Sequence, residues 1–374
     1  MTDKQLHIVT HDVPWPADYG GVIDLFYKLK ALHAQGVIIH LHSFTDGRLP
    51  QEELNKYCST VNYYQRKKSV TRLSFNLPFI VNSRVDDSLL LNLKKDNYPV
   101  LLEGIHCTYL LKKGKLTDRK VIVRLHNAEF EYYRKLAKQE TNIFKESYFF
   151  IESLLLKKYE RSIVNKAMFL AVSRHDMELY QAVFSAKNIN YLPVFLPYNL
   201  TAGKEGKGCF CLYHGNLTVN ENEAAATWLL KNVFSKLTVP FVIAGKDPSP
   251  RLQKLIHKYQ HTCLVANPSA KEMADMIQKA HIHVLPSFNS TGVKLKLLNA
   301  IFNGRHCLVN KAAVNGSGLE STCHIAEDAT EFKIKIEGLY QQSFYEEEIQ
   351  QRQGLLQRVY NNDINAGMLM TFLW

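Results

Sequence analysis

The sequence predicts an α/β protein of two domains, each built on a parallel β-sheet. Short apolar stretches alternate with helix-length stretches along most of the 374 residues, as strands and crossover helices do in parallel sheets. The alternation stops at a stretch rich in Pro and Gly, residues 192–208, and then resumes, so this stretch is predicted to link two domains. We therefore expect a first domain at 1–200, a second at 205–342 and a helical tail at 343–374.

The individual strands are predicted from apolar runs bounded by polar turns. In the first domain these runs are Leu6–Thr10, Val37–His42, Pro99–Glu103, Val121–Leu125 and Met168–Val172, and in the second they are Phe210–His214, Phe241–Ala244, Cys263–Ala266, Ile282–Leu285 and His306–Val309. Apolar residues recur at helical spacing in Val22–Ala34 and in Val293–Asn303, so both are predicted to be helices. Ser269 and Glu272 form a capping-box pattern that predicts the start of a further helix.

Composition limits the class of protein and its compartment. The chain is 46% hydrophobic and 22% charged, which is typical of a globular protein with a sizeable core. No apolar run approaches the roughly 20 residues that span a bilayer, and the N-terminal stretch resembles a strand rather than a signal peptide. The seven cysteines are odd in number and form no CxxC pair, which favours reduced thiols over disulfides or a zinc site. We expect a cytoplasmic protein.

The net charge of +11 indicates an anionic partner, although each basic cluster alone is also compatible with an ordinary basic surface. Nucleic acid is not expected, because no RRM, KH, zinc-finger or helix-turn-helix signature is present. Two hypotheses for the anionic partner are left. One is a phosphorylated substrate, and the other is the anionic inner face of the cytoplasmic membrane, contacted peripherally. The basic clusters are Arg66, Lys67, Lys68 and Arg72, followed by Lys112, Lys113, Lys115, Arg119 and Lys120.

Polar groups follow several predicted strands, at the edge where parallel sheets bind ligands. The stretch HDVPWPADYGG, residues 11–21, ends in Gly20 and Gly21 at the start of a predicted helix, where backbone N–H groups can approach an anion closely. An ordinary tight turn is the alternative. Carboxylate, imidazole and amide groups that can bind substrate hydroxyls stand at two further strand ends: Glu103, His106, His126 and Asn127.

The most informative stretch is STGVKLKLLNAIFNGRHCLVN, residues 290–310. Gly292 allows the backbone to approach a ligand closely, and Lys294 is predicted to lie in the first helical turn. Lys296 shares a helix face with Asn299. Two ammonium groups and the free N–H groups of a helix N-terminus would hold a diphosphate. A solvated helix face is the alternative, but the position of the lysines directly after a buried strand favours binding.

At these residues the sequence resembles the GT-B glycosyltransferases, and specifically the retaining family 4 type. The motifs run along nearly the whole chain: YGGVIDLFYKLKAL, YERSIVNKAMFLAVSRHDMELY, LYHGNLTVNENEAAATWLL, PFVIAGKDPSPRL, HVLPSFNSTGVKLKLLNAIFNGRHCLV and VYNNDINAGMLM. The resemblance implies two Rossmann-like domains whose parallel sheets face each other across a cleft. It also implies that the first domain binds the acceptor, that the second binds a nucleotide sugar, and that the tail returns to the first domain.

The resemblance implies roles for individual residues as well. Lys296, with Lys294, would neutralise the leaving diphosphate, and His126 would face the transferred sugar. Asn299 stands where the family usually has a Glu that binds the ribose, and Thr291 stands where the first Glu of the family's pair often lies. The residues implied to bind the donor are Gly20, Gly21, Gly215, Asn216, Lys246, Ser290, Thr291, Gly292, Val293 and Asn299, and those implied to bind the acceptor or the sugar are Glu103, His106 and Asn127.

The expected function is transfer of a hexose from a nucleotide-diphosphate sugar, GDP-mannose or a UDP-hexose, to a glycan or lipid-linked acceptor. Retention and a place in surface polysaccharide or glycan biosynthesis are implied by the resemblance. No metal or other cofactor is expected, because no DxD sequence falls in a suitable loop. Two alternatives stay open: another GT-B enzyme, either an inverting transferase or an epimerase, and a degenerate GT-B domain that binds a sugar or a partner without turnover.

Overall fold

The computed structural model describes residues 4–18, 20–69, 74, 76–140 and 142–374. The chain divides into two compact units, and the division falls within the predicted linker. The first unit comprises Met1–Pro197 and Tyr360–Trp374, and the second comprises Tyr198–Val359.

The strands of the first unit are β1 (Gln5–Thr10), β2 (Ile38–Thr45), β3 (Thr60–Gln65), β4 (Val100–Glu103), β5 (Val121–Leu125), β6 (Met168–Ala171) and β7 (Ile189–Tyr191). They form one sheet in the order β3-β2-β1-β4-β5-β6-β7, and every pairing is parallel. The order reverses between β1 and β4, which creates a topological switch point at the carboxyl edge of the sheet.

Helices cover both faces of this sheet, because consecutive strand residues point to opposite sides. In β4, Leu101 packs in one apolar cluster, whereas Val100 and Leu102 pack in the other. The helices are α1 (Gly20–Ala34), α2 (Phe79–Asn82), α3 (Asp87–Leu93), α4 (Tyr109–Lys112), α5 (Glu129–Gln139), α6 (Ile143–Ile163) and α7 (Arg174–Phe184).

The second unit repeats this plan with a six-stranded sheet. Its strands are β8 (Cys211–Asn216), β9 (Phe241–Lys246), β10 (Thr262–Ala266), β11 (Ile282–Val284), β12 (His306–Val309) and β13 (His324–Ile325). They lie in the order β10-β9-β8-β11-β12-β13, again with parallel pairings and with a reversal between β8 and β11. The helices are α8 (Asn220–Trp228), α9 (Pro250–Ile256), α10 (Ala270–Lys279), α11 (Leu295–Asn303), α12 (Lys311–Val314), α13 (Ala329–Gln341) and α14 (Glu346–Val359).

The helical tail is shared between the units, whereas the sequence grouped all of 343–374 with the first domain. Helix α14 lies in the second unit because Arg352 is buried there, where its guanidinium donates to the carbonyl oxygens of Ile301 at 2.9 Å and Arg305 at 2.7 Å. The last helix, α15 (Asn362–Leu373), belongs to the first unit and buries Leu369 in a cluster with residues of β1 and α1.

The ten predicted strands are present, with ends that differ by at most three residues from the prediction. The capping box at the start of α10 is also present. The sequence missed β3, β7 and β13. These are the edge or near-edge strands, which are short or only half-buried and therefore show weak apolar patterns. None of the described helices has the length and apolar character needed to cross a bilayer.

Candidate functional site

The carboxyl edge of the second sheet carries the residues expected to bind the donor. Gly215 and Asn216 end β8 and pair with Gly245 and Lys246, which end β9. A Cβ atom at Gly245 would collide with the carbonyl oxygen of Gly215, so only glycine fits between these strand ends. Sequence reasoning missed Gly245, because the constraint comes from a neighbouring strand rather than from a local motif.

Lys296 lies in a defined polar setting at the start of α11. Its ammonium group donates to Asn222 Oδ1 at 2.8 Å and to the Tyr213 hydroxyl at 3.1 Å, and it lies 4.8 Å from the centre of the Tyr213 ring. Asn222 is oriented in turn by a hydrogen bond from its Nδ2 to the carbonyl oxygen of Asn216 at 2.8 Å. The ammonium group is thus held in place between the first turn of α8 and the first turn of α11.

A bound anion would change the protonation equilibrium of Lys296. Burial lowers its pKa to about 8, Glu221 opposes this shift, and Lys294 adds to it. Burial removes water from the ammonium group. A bound anion would stabilise the charge in place of that water and would so favour protonated Lys296. The Lys296–Asn222 contact brings the first turns of α8 and α11 together, and helix N-termini attract negative charge. This combination makes the carboxyl edge of the second sheet a candidate diphosphate site.

The loop before α11 is built from its own polar contacts. The Thr291 hydroxyl and backbone N–H both donate to Asn289 Oδ1 at 2.9 Å, and the Lys294 ammonium group donates to the Thr291 carbonyl oxygen at 2.7 Å. Gly292 has a φ of 66°, a conformation that glycine adopts easily. The Thr291 side chain is buried, so its hydroxyl and backbone groups all serve contacts within the loop, and its role toward a donor stays a prediction. Ser290 and Val293 are half-buried beside it.

The helix begins later than the sequence predicts. The pattern placed Lys294 in the first turn, but α11 starts at Leu295 and Lys294 occupies the preceding N-cap position with no side-chain cap. The amide of Asn299 lies on α11, where its Oδ1 accepts a hydrogen bond from Asn303 Nδ2 at 2.8 Å. Three contacts of this site were missed from sequence, those of Tyr213, Glu221 and Asn222. The acid-rich start of α8, directly after β8, was the available signal.

In the first unit, the carboxyl ends of β4 and β5 carry a buried network of charges. The Lys28 ammonium group donates to Asp24 Oδ2 at 2.9 Å and to Glu103 Oε1 at 2.7 Å, and all three side chains are buried. Arg124 contacts the other oxygen of Asp24 at 3.3 Å. Lys28 and Asp24 are an (i, i+4) pair on α1, a signal that the sequence offered and that was not used.

This network gives Glu103 partners other than the sugar hydroxyl that the sequence predicts, and its sugar-binding role stays a prediction. Its second carboxylate oxygen bonds His126 Nε2 at 2.9 Å, and the residue is fully buried, so both oxygens have partners within the protein. Burial opposes ionisation of Glu103, but Lys28 and then His126 outweigh it and lower its pKa. Glu103 therefore orients His126, whose side chain is 14% exposed and lies at the end of β5.

The other predicted residues of the first unit lie near the same edge, and their roles stay predictions. Gly20 and Gly21 begin α1. The His106 ring stacks on the His11 ring with centroids 5.0 Å apart, and the Nδ1 atoms of both rings are buried with no hydrogen-bond partner within the described residues. Burial lowers the pKa of both rings well below the usual range, so both are neutral. Asn127 makes only a long contact, 3.4 Å, with Glu129.

Glu129 gives the fold a pH dependence that can be measured. Burial raises its pKa from 4.5 to about 7, with Asp176 adding to the shift and Asn127 opposing it. Because the folded state binds this proton more tightly than the unfolded state, stability falls as pH rises from about 4.5 to about 7. We expect Glu129→Gln to match the wild type at about pH 4.5 and to be more stable by up to about 3 kcal/mol at about pH 8. Urea unfolding of both proteins between about pH 4.5 and about pH 8 measures the difference in free energy of unfolding. A difference that does not change with pH would contradict the raised pKa of Glu129.

Among the described residues, two groups of side chains have the spacing of metal ligands. Asp24, Glu103 and His126 form one, but Lys28 and Arg124 already balance its negative charge. His306, His324 and Glu348 form the other, with ligand atoms within 4.8 Å of one another. This second group begins at the first residues of β12 and β13, which places it at the amino edge of the sheet, opposite the candidate diphosphate site.

Comparison with solved structures shows that the chain has the fold of the GT-B glycosyltransferases. A variant of S. aureus TarM, solved with fondaparinux, α-GlcNAc-glycerol and UDP, is similar with a TM-score of 0.65 and 10% identity over 99% of each chain. WaaG, a glycosyltransferase involved in lipopolysaccharide biosynthesis, has a TM-score of 0.65 and 12% identity over 98% of this chain and 99% of its own. At these identities the likeness shows the fold alone.

Part of the chain matches a known family by sequence. Residues 209–342, which contain the whole candidate diphosphate site, match the family Glycosyl transferases group 1. The matched stretch lies within the second unit, Tyr198–Val359, so the family likeness is to this part of the chain. A curated relative from Klebsiella pneumoniae is 28% identical over 335 residues, which cover 83% of this chain and 84% of the relative, and is described as an uncharacterized 44.6 kDa protein in the cps region.

Proposed function

We propose that the protein transfers a hexose from a nucleotide-diphosphate sugar to a glycan or lipid-linked acceptor, with retention and without a metal ion. GDP-mannose and the UDP-hexoses are the proposed donors. The observation that carries the proposal is the Lys296 ammonium group, held by Tyr213 and Asn222 beside two helix N-termini within the stretch that matches the group 1 family.

The proposed setting is surface polysaccharide biosynthesis, and capsule in particular. The Klebsiella relative lies in a cps region, and WaaG acts in the biosynthesis of another surface glycan. A cytoplasmic location is part of the proposal, because nucleotide sugars are cytoplasmic metabolites and the cysteines are predicted to be reduced.

In the proposed step, the bond between the anomeric carbon and the diphosphate oxygen breaks. A bond from the acceptor hydroxyl oxygen to the same carbon forms on the same face, and the acceptor proton passes to the departing phosphate oxygen. Negative charge grows on the diphosphate as its bond breaks. Lys296 and the N–H groups at the start of α11 would stabilise that charge, with Lys294 as a second cation at the same helix end.

A panel of GDP- and UDP-sugars tests the proposal. Thermal shift and isothermal titration identify the nucleotide and sugar that bind, and donor consumption with glycan and lipid-linked acceptors then measures transfer. NMR of the product distinguishes retention from inversion, and an epimerised donor would identify an epimerase instead. Donor binding without turnover on any acceptor would favour the degenerate binding domain.

Asn299 allows a more specific prediction about the ribose. A carboxylate accepts stronger hydrogen bonds than a neutral amide, by about 1 kcal/mol. We expect Asn299→Glu to tighten binding of the nucleotide diphosphate about fivefold to tenfold, since one carboxylate oxygen can keep the Asn303 contact while the other is free. Titration with GDP and UDP measures the change, and Asn299→Gln is the control that adds length without charge. Unchanged or weaker binding by Asn299→Glu would refute the ribose assignment.

A further inference from the structure

The outer face of α6 is the largest set of exposed apolar side chains on any one described element. Phe144 is 84% exposed, Ile143 is 68% exposed, and Leu154, Phe150 and Ile151 are between 49% and 54% exposed. Their spacing of three, four and seven residues along a helix places them on one side. Most monomeric proteins do not expose so many large apolar groups together, and such patches mark interaction surfaces.

The exposure follows from how α6 is held. Its opposite side is buried through Glu152, Leu156, Tyr159 and Ile163. The Ser153 hydroxyl donates to the carbonyl oxygen of Phe130, near the start of α5, so the part of α6 that precedes Ser153 runs alongside α5. Only one side of this part of α6 can then pack on α5, and its outer side faces solvent.

Basic residues continue the same face where the apolar residues end. Lys157, Lys158 and Arg161 are exposed and follow Leu154 at helical spacing. Within the described part of the chain, neither Lys157 nor Lys158 forms an ion pair with a carboxylate.

Further lysines stand next to this basic end. The Lys166 ammonium group donates to the carbonyl oxygen of Lys112 at 3.1 Å. Burial lowers the pKa of Lys112, and the positive charges of Lys166, Lys113 and Lys158 lower it further. The contributions of these three charges agree with the Lys166–Lys112 contact in placing several lysines close together here.

We propose that this face of α6, the apolar residues 143–154 with the basic residues 157–161, docks on an anionic lipid bilayer. The apolar side chains would enter the boundary between headgroups and acyl chains, and the lysines would lie at the level of the lipid phosphates. Charge complementarity favours a bilayer over an apolar protein surface, because the apolar patch is continued by cations on the same side.

The surface differs from the one that net charge alone indicated. Arg66 and Lys68 share Asp46, and Lys67 pairs with Asp86, so two carboxylates offset part of the positive charge of the first basic cluster. Arg72 lies outside the described residues. In the second cluster, the Arg119 guanidinium is buried and donates to the backbone carbonyl oxygens of Leu93 and Asp96. Lys112 and Lys113 are the members of the two clusters that the proposal retains.

Vesicle flotation tests the proposal without any sugar donor or acceptor, so its result is independent of the proposed enzymatic function. The wild type is expected to float with vesicles of phosphatidylglycerol and phosphatidylcholine and not with phosphatidylcholine alone. Phe144→Ser/Ile151→Ser is expected to reduce the bound fraction about tenfold, because two inserted side chains are lost. Lys157→Gln/Lys158→Gln is expected to reduce it by a similar factor, with a weaker dependence on salt.

Leu49→Ser/Ile334→Ser is the matched control, since these residues are 74% and 64% exposed elsewhere on the chain and should leave flotation unchanged. The proposal is overturned if the wild type fails to bind phosphatidylglycerol vesicles, or if neither α6 variant changes binding. Light scattering gives the remaining outcome. A wild-type dimer that dissociates in Phe144→Ser/Ile151→Ser would assign the face to a second copy of the chain and would also overturn the bilayer proposal.

Discussion

Replacing Lys296 by Ala is expected to reduce turnover by at least about a hundredfold, the loss typical of a group that stabilises charge developing in the transition state. The ammonium group is held by Tyr213 and Asn222 at the start of α11, where a departing diphosphate would gain most of its negative charge. No other described lysine makes these contacts. Its neighbour Lys294 bonds a loop carbonyl oxygen instead, so it can compensate only in part.

The measurement separates catalysis from binding. Donor consumption gives kcat and KM, and titration with the nucleotide diphosphate gives affinity for the leaving group. We expect Lys296→Ala to lower kcat more than it raises KM, because the charge it stabilises is largest in the transition state. Lys254→Ala is the control, since Lys254 is an exposed lysine on α9. A near-normal turnover by Lys296→Ala, with unchanged thermal stability, would refute the assignment of Lys296 to stabilisation of the leaving diphosphate.

Much of the fold was readable from sequence because the strands that matter most are buried on both sides. Val121–Leu125 and His306–Val309 have the predicted bounds, and both are fully buried. A strand of this kind appears as an uninterrupted apolar run whatever its neighbours are. The edge strand Thr60–Gln65 has one buried residue among six and shows no such run.

The site was readable only as far as its residues are local in sequence. The lysines at the start of α11 stand out because they follow a strand and a glycine turn within a few residues. The partners of Lys296 are 74 and 83 residues away, and no spacing rule connects them. The partners of Glu103 were missed for the same reason. Lys28 lies on α1 and His126 follows β5, and only the folded sheet brings them to Glu103.

The docking face of α6 shows a different limit. The sequence IFKESYFFIESLLLKKYERSI has apolar residues around the whole helix, so the pattern cannot tell which side packs and which is exposed. Net charge indicated an anionic partner but not a surface, because it is a sum over the whole chain and does not say where the unpaired cations lie.

Lys28→Met is the second large effect we expect, and it concerns stability. The change removes the cation between Asp24 and Glu103 while both carboxylates stay buried, and the loss of one partner from a buried ion pair costs about 3–5 kcal/mol. Because the protein has two units, the free energy should be taken from hydrogen exchange of the β1 and β4 amides, which report on the first unit. Lys30→Met is the matched control, since Lys30 is an exposed lysine two positions along the same helix.

The pH dependence distinguishes loss of this cation from loss of packing. In the wild type the pKa values of Asp24 and Glu103 are lowered, so their stabilising contribution is present above their unfolded pKa values and is lost as pH falls through the folded ones. Without Lys28 the buried carboxylates favour protonation, so the deficit of Lys28→Met should shrink as pH falls toward about 4. Lys28→Met/Glu103→Gln should recover part of the deficit at neutral pH, because one uncompensated charge is removed. A deficit that is equal at both pH values and unchanged in the double variant would mean that Lys28 acts through its aliphatic chain alone.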